Sequence, residues 1–238
     1  QYGGRVNETI PSSSLRVSDD SQKVSVDTGA IEFEIGKSRF SLFDGVRIGG
    51  RPVAKRAELS MVDGDGTFYS AGKPDVVEVE ELGPMRVCIR AKGPYVTEDG
   101  TPLFDYDVRI HAFAGKPYIR VVHNYVCQLR QDAPEDRKDI KIRSMSIDVP
   151  LVGPDSSNCL FGTDDGGIFE TNVGHGLVEA RQSYESEATI GGETFTRLPG
   201  GGAVNDTMVA VAPFWQSYPN ALVLRSDETG PALRIATP

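Results

Sequence analysis

The sequence predicts an all-β protein, a large antiparallel β-sandwich of the supersandwich type with very little helix. Three observations point there. Glycine and proline, 26 and 15 of 238 residues, exceed average usage and interrupt the chain too often for long helices. Between these breaks, apolar residues alternate with polar ones at the period of a strand with one buried face. Segments of this kind follow one another along the chain, separated by turn signals and without a fixed repeat period, which is the pattern of sheet packed on sheet.

Residues 1–22 are polar and rich in Ser, Gly and Asp, and read as a flexible extension or linker. Residues 23–238 read as a single β-sandwich domain, with no internal boundary. The segment Ile31-Glu32-Phe33-Glu34-Ile35 alternates apolar and acidic side chains, and Gly36-Lys37-Ser38 turns the chain. Phe40, Leu42 and Val46 continue the pattern across Asp44-Gly45. Residues 76–82 and 85–91 form a strand pair broken at Gly83-Pro84, and Asp99-Gly100 marks a further turn. The clearest hairpin runs from Asp105 to Phe113, reverses at Ala114-Gly115-Lys116-Pro117, and returns from Tyr118 to Cys127. After a charged loop at 130–139, the apolar phase slips from Ile140 and Ile142 to Met145, Ile147 and Val149, which predicts a β-bulge. Residues 177–188 lack Gly and Pro and are the one stretch that could be helical. Gly200-Gly201-Gly202 reads as a turn, and three strands close the chain at 208–212, 222–225 and 233–236.

The charge balance narrows the partners. With 25 basic and 34 acidic residues the net charge is -9, and no Lys/Arg stripe offers the clustered cations that nucleic acid or an anionic membrane surface would need. No apolar run is long enough to form a membrane-spanning helix. The first residue is Gln1, consistent with a processed chain or with a piece cut from something longer. Cys88, Cys127 and Cys159 leave at least one thiol unpaired, with a Cys88–Cys127 bridge open if their strands are neighbours. Sequons at Asn7 and Asn205 offer glycosylation sites if the protein is exported, so a secreted or cell-surface location is expected.

Three segments stand out: residues 26–33 (VDTGAIEF), residues 104–110 with 114–121 (FDYDVRI and AGKPYIRV), and residues 214–222 (FWQSYPNAL). In this order and spacing they resemble the central β-sandwich domain of the exo-rhamnogalacturonan lyase-like (YetA-like polysaccharide lyase) family. The likeness spans roughly residues 24–238. It implies a carbohydrate-active setting in which the full enzymes carry an N-terminal small barrel, this sandwich and a C-terminal α/α toroid, and cleave rhamnogalacturonan by β-elimination at galacturonate. It also implies that catalysis involves the toroid, so the sandwich alone is expected to support or bind a polysaccharide.

β-Elimination needs a base, an acid and a cation that neutralises the uronate carboxylate. Arg109, His111, His123 and Tyr125 place such groups on one hairpin. Strand alternation puts Arg109 and His111 on one face, and sets His123 and Tyr125 on the opposite side of their strand from Arg120 and Asn124. Packed or hydrogen-bonded sandwich residues are the simpler reading of His123 and Tyr125. Trp215, Gln216 and Tyr218, together with Arg120, are the candidate sugar-binding set, although a tryptophan beside Phe214 also suits a core. His175 sits in a Gly-flanked loop. Asp63 with Asp65, and Asp164 with Asp165, lie in Asp-Gly loops that could supply oxygens to Ca²⁺ or be ordinary turns. No nucleotide-binding glycine motif is present, so the expected cofactor is none, or Ca²⁺.

Two functions follow. One is a polysaccharide-supporting module with a pectin-type partner. The other is a secreted structural sandwich that assembles with copies of itself, through strand exchange, into a filament or surface layer.

Overall fold

The structure, a computed structural model, describes residues 13–126, 140–154, 157–174 and 176–237. Among these there is no α-helix, only strands, turns and one short 3₁₀ turn at Trp215–Ser217. Three antiparallel sheets are formed. The first contains β1 (Arg16–Asp19), β2 (Lys23–Asp27), β3 (Glu32–Gly36), β4 (Gly45–Ile48) and β5 (Arg51–Ala54), side by side in chain order.

The second sheet has twelve strands: β6 (Glu58–Asp63), β7 (Phe68–Ala71), β8 (Val76–Leu82), β9 (Arg86–Val96), β10 (Pro102–Phe113), β11 (Ile119–Val126), β12 (Ile142–Pro150), β15 (Gly176–Tyr184), β16 (Glu187–Ile190), β17 (Glu193–Phe195), β20 (Asn220–Asp227) and β21 (Gly230–Thr237). They lie in the order β11-β10-β9-β7-β6-β12-β21-β20-β15-β16-β17, with β8 also paired to β9. The third holds β13 (Ser157–Gly162), β14 (Ile168–Val173), β18 (Gly201–Val204) and β19 (Thr207–Ala210), in the order β14-β13-β18-β19.

The two small sheets pack on the large one. Alternation along β10 sends Tyr106, Val108, Ile110 and Ala112 inward, all fully buried, against Val24, Val26, Phe33 and Ile35 of the five-stranded sheet. Phe40 stacks on Tyr106 with ring centroids 4.7 Å apart, and the Thr28 hydroxyl donates to the Lys116 carbonyl at 3.0 Å. Toward the far end of the large sheet, Phe169 meets Phe195 edge-on at 6.4 Å. Gly202 of β18 lies so close to Leu222 that an added Cβ would come within 2.6 Å of its side chain.

The predicted bulge in the 140–149 strand is present, as a register shift between Ile142 and Ser144 against β6. Three expectations need correction. Residues 177–188 are not helical: they form β15 and the start of β16, joined through Glu185-Ser186, and β15 pairs with β20 from Gly176 to Gln182. Their poor helical periodicity is the two-residue period of a strand broken by a bulge between Gln182 and Tyr184. Within the 1–22 extension, Arg16–Asp19 is strand β1, paired residue by residue with β2 of the same chain; residues 1–12, with Asn7, lie outside the described residues. Of the three glycines at 200–202, only Gly200 turns, at φ +81°, while Gly201 and Gly202 belong to β18, paired with Ala210 and Val209 of β19, and at Gly202 the approach of Leu222 leaves little room for a side chain.

Candidate functional site

The β10–β11 hairpin separates its polar groups by face. On the outer face Arg109 donates from Nε and Nη2 to both oxygens of Glu80, at 2.7 and 2.8 Å, and from Nη1 to Asp107 at 3.4 Å. Arg90 holds the other side of Asp107 through Nε and Nη2, at 3.1 and 2.6 Å. The Arg90 guanidinium keeps the Asp107 carboxyl below the usual carboxylate range, and Arg109 does the same for Glu80. Beneath this network Cys88 carries a buried free thiol, which burial and the nearby Glu80 carboxylate push up to about 11; Cys127 lies outside the described residues. His111 is paired in register with Cys88 and Arg120. Its Nδ1 is buried without a partner, and burial, with Arg86 and Arg120 nearby, lowers its pKa.

On the inner face His123 Nε2 lies 2.9 Å from the hydroxyl of fully buried Tyr95. Burial pulls the imidazole down to about 4, so it is neutral at physiological pH. The Tyr125 ring packs on it at 4.3 Å between centroids. The candidate catalytic residues therefore fall on two sides of one sheet: Arg109 and His111 outside, His123 and Tyr125 inside. His123 is thus kept apart from Arg109 by the sheet, while His111 shares the outer face with Arg86 and Arg120.

The Asp-Gly loops are turns built on their own carboxylates. Asp63 accepts from the backbone N–H groups of Asp65 (3.0 Å) and Thr67 (2.8 Å) and from the Tyr69 hydroxyl (3.0 Å). Asp164 accepts from Thr196 N–H at 2.8 Å, and Asp165 from Gly167 N–H at 2.9 Å and from the Thr163 hydroxyl. Among the described residues no three His, Cys, Asp or Glu side chains gather as a metal site would require. His175 lies outside the described residues. Asn205 is exposed at the tip of the β18–β19 hairpin, at φ +50°.

The remaining candidates lie at the opposite end of the large sheet from β11. Trp215 is half-buried on the 3₁₀ turn, while Gln216 is exposed and Tyr218 44% exposed. Two residues not singled out from sequence complete this corner. Tyr184, 64% exposed at the end of β15, lies 6.3 Å from the Tyr218 ring. Arg197 sits over the Trp215 ring at 4.5 Å and is held by Glu185 through its carbonyl and its carboxylate, at 3.1 and 3.0 Å. Arg120, expected to join this set, is on the other edge of the sheet and does not.

Two buried amides hold the corner open. Gln182 and Asn220 are cross-strand partners on β15 and β20. Gln182 donates to the carbonyls of Tyr184 (2.5 Å) and Thr196 (3.2 Å) and accepts from Leu198 N–H at 2.8 Å. Asn220 donates to the carbonyls of Phe214 and Ser217 at 2.8 and 2.7 Å. Buried Phe214 is the anchor beneath the turn, packed so closely on Gly200 that no other residue fits there. The two tyrosine rings, tilted 55° to one another, are thus carried on backbone fixed from below, and an exposed ring held in this way suits stacking on the apolar face of a sugar.

The segments that build both the hairpin and the corner are those with a family likeness. The chain belongs to the PcRGLX-like protein central beta sandwich domain family. The family model matches residues 15–219, from the edge of β1 to the loop before β20, so the match includes the strand that the extension hides and the whole aromatic turn. No curated protein matches the chain.

Proposed function

We propose that this sandwich holds a pectin-type polysaccharide at the Tyr184–Trp215–Tyr218 corner and does not cleave it by itself. The observation that carries the reading is the pair of exposed tyrosines beside a half-buried tryptophan, mounted on buried Gln182 and Asn220. Single exposed apolar side chains are ordinary on a surface, but aromatic side chains gathered at one place mark an interaction site. The non-catalytic part is supported by Arg109, whose donors are taken up by Glu80 and Asp107, and by the separation of His123 from it across the sheet. The family's association with rhamnogalacturonan lyases supplies the substrate class. An exported setting fits the exposed sequon at Asn205.

The chain has a single tryptophan, so its fluorescence reports on this corner alone. Titration with rhamnogalacturonan oligosaccharides should shift and saturate the emission, and Tyr184→Ala should weaken the response. A flat titration would refute the corner as the site. In parallel, the oligosaccharides should show no rise in unsaturated-uronate absorbance, and a rise that is lost in His123→Gln would make the sandwich an enzyme in its own right.

A further inference from the structure

We propose a second ligand site, on the concave outer face of the five-stranded sheet, for an uncharged and hydroxyl-rich sugar residue. It is independent of the aromatic corner. A cleft of about 520 Å³ lies across β1 to β5, within the roughly 300–1,000 Å³ usual for small-molecule sites. Its depth comes from residues with little or no side chain: Ser18, Ser25 and Gly45 occupy one cross-strand row with Glu34.

The neighbouring row carries the chemistry. Arg16, Asp27, Glu32 and Arg47 are consecutive register partners on β1, β2, β3 and β4, an order of charges + − − +. Asp27 and Glu32 face one another directly, an arrangement that costs stability in a sheet. The flanking arginines do not relieve it: Arg16, Arg47 and Glu32 form no ion pair or side-chain hydrogen bond among the described residues. Of the other lining charges, Glu34 is matched by Lys23 at 2.6 Å and Asp44 by Arg56 at 2.7 Å, while the Lys55 ammonium donates to the Thr229 carbonyl at 3.2 Å. Charges without an ion pair occur elsewhere among the described residues, as at Lys92 and Arg120. Here, however, Arg16, Glu32 and Arg47 stand together in one row lining a cleft, with Asp27 accepting from the Gly29 N–H at 2.7 Å, and it is that grouping which marks a place where a partner arrives from solution.

That partner needs both kinds of group. Two adjacent carboxylates accept from vicinal hydroxyls, and the two guanidinium groups donate to hydroxyl or ring oxygens. A sugar hydroxyl both donates and accepts, and so answers all four side chains without bringing a charge. A uronate would set its carboxylate near Asp27 and Glu32, and a bare cation would face Arg16 and Arg47.

The experiment is an amide chemical-shift titration of the whole chain with lactose, and separately with galacturonate and with CaCl₂. Lactose should move amides of β1 to β4, and Glu32→Gln and Arg47→Ala should each weaken that response by about tenfold. Both side chains are exposed, so well-dispersed spectra of the variants are expected and serve as the folding control. Tyr184→Ala should leave the response unchanged, which separates this site from the aromatic corner. Absence of shifts in β1 to β4, or shifts that persist in both variants, would overturn the proposal. Shifts produced by Ca²⁺ or by galacturonate in place of lactose would overturn it too, and would identify an ion site.

Discussion

The β8–β11 region and the aromatic corner sit at opposite ends of one sheet and spend their polar groups in opposite ways. Around β10 the groups that a lyase would use are largely answered from within: Arg109 by Glu80 and Asp107, Arg90 by Asp107, His123 by Tyr95, with His111 Nδ1 buried and unpartnered as the exception. At the corner Gln182 and Asn220 are buried under the surface, and what reaches water is Tyr184 and Tyr218 with Gln216, beside the Arg197–Glu185 pair. A residue list would rank the hairpin first, since it carries arginines, histidines and a tyrosine. Geometry reverses that ranking, because a guanidinium already gripped by two carboxylates has little left to offer a substrate.

The comparison is tested most severely at His123. Its folded pKa of about 4 lies below the ordinary imidazole value of about 6.5 because burial disfavours the imidazolium. Between those values the unfolded chain binds more protons than the folded one, so stability is complete above about 6.5 and declines as pH falls toward 4. The decline attributable to this residue approaches about 3 kcal/mol. Denaturant unfolding at pH 7.5 and 4.5 should show that loss, and His123→Gln should remove most of it. An equal loss in the variant would mean the imidazole is not sealed, and the hairpin's inner face would reopen as a reactive site.

Asp107 gives the next largest effect. Asp107→Ala deprives Arg90 of its bidentate acceptor and Arg109 of one bond, at a cost of about 2 kcal/mol. Because Arg90 holds this carboxyl low, its stabilisation is present above the ordinary carboxylate range and is lost as pH falls through its lowered folded value. The variant should melt earlier near neutrality yet bind oligosaccharide as the parent does. Tyr184→Ala should behave the other way, with stability within about 0.5 kcal/mol of the parent and binding about tenfold weaker, roughly 1.4 kcal/mol. If both variants lost binding together, the two regions would not be separable and the contrast would fail.

How much of this could be read in advance depends on whether an effect is local to a strand. Alternation along 105–113 announces which side chains of β10 are buried, and the phase slip after Ile142 announces its bulge, because both are properties of consecutive residues. The opposition of His123 to Arg120 on one strand was legible in the same way, but that of Arg109 to His123 needed the register of β10 against β11. Glu80 as the partner of Arg109 was not legible, since it stands 29 residues away at a bulge in β8. The corner was half legible: the run Phe214 to Tyr218 stood out, but Tyr184 and Arg197 arrive through strand pairing between β15, β16 and β20. Reading 177–188 as a possible helix concealed the turn at Glu185-Ser186 that brings Tyr184 forward. Arg120 failed for the complementary reason, because composition cannot tell that β11 and β15 lie far apart in a twelve-stranded order.

The smallest effect is expected at the Asp-Gly loops, which extend the lesson of the hairpin to carboxylates. Calcium takes six to eight oxygens, several of them anionic. In the 63–67 loop both oxygens of Asp63 already accept, from two backbone N–H groups and a tyrosine hydroxyl. In the second loop Asp164 and Asp165 point to different partners, Thr196 on one side and Thr163 with Gly167 on the other. Drawing these carboxylates onto an ion would release the N–H donors that close the turns, an exchange with little net gain. The melting temperature should therefore be the same in excess Ca²⁺ and in EDTA. A rise that grows with the logarithm of calcium concentration would signal preferential binding to the folded chain, and its loss in Asp63→Asn or in Asp165→Asn would say which loop had been misjudged as a turn.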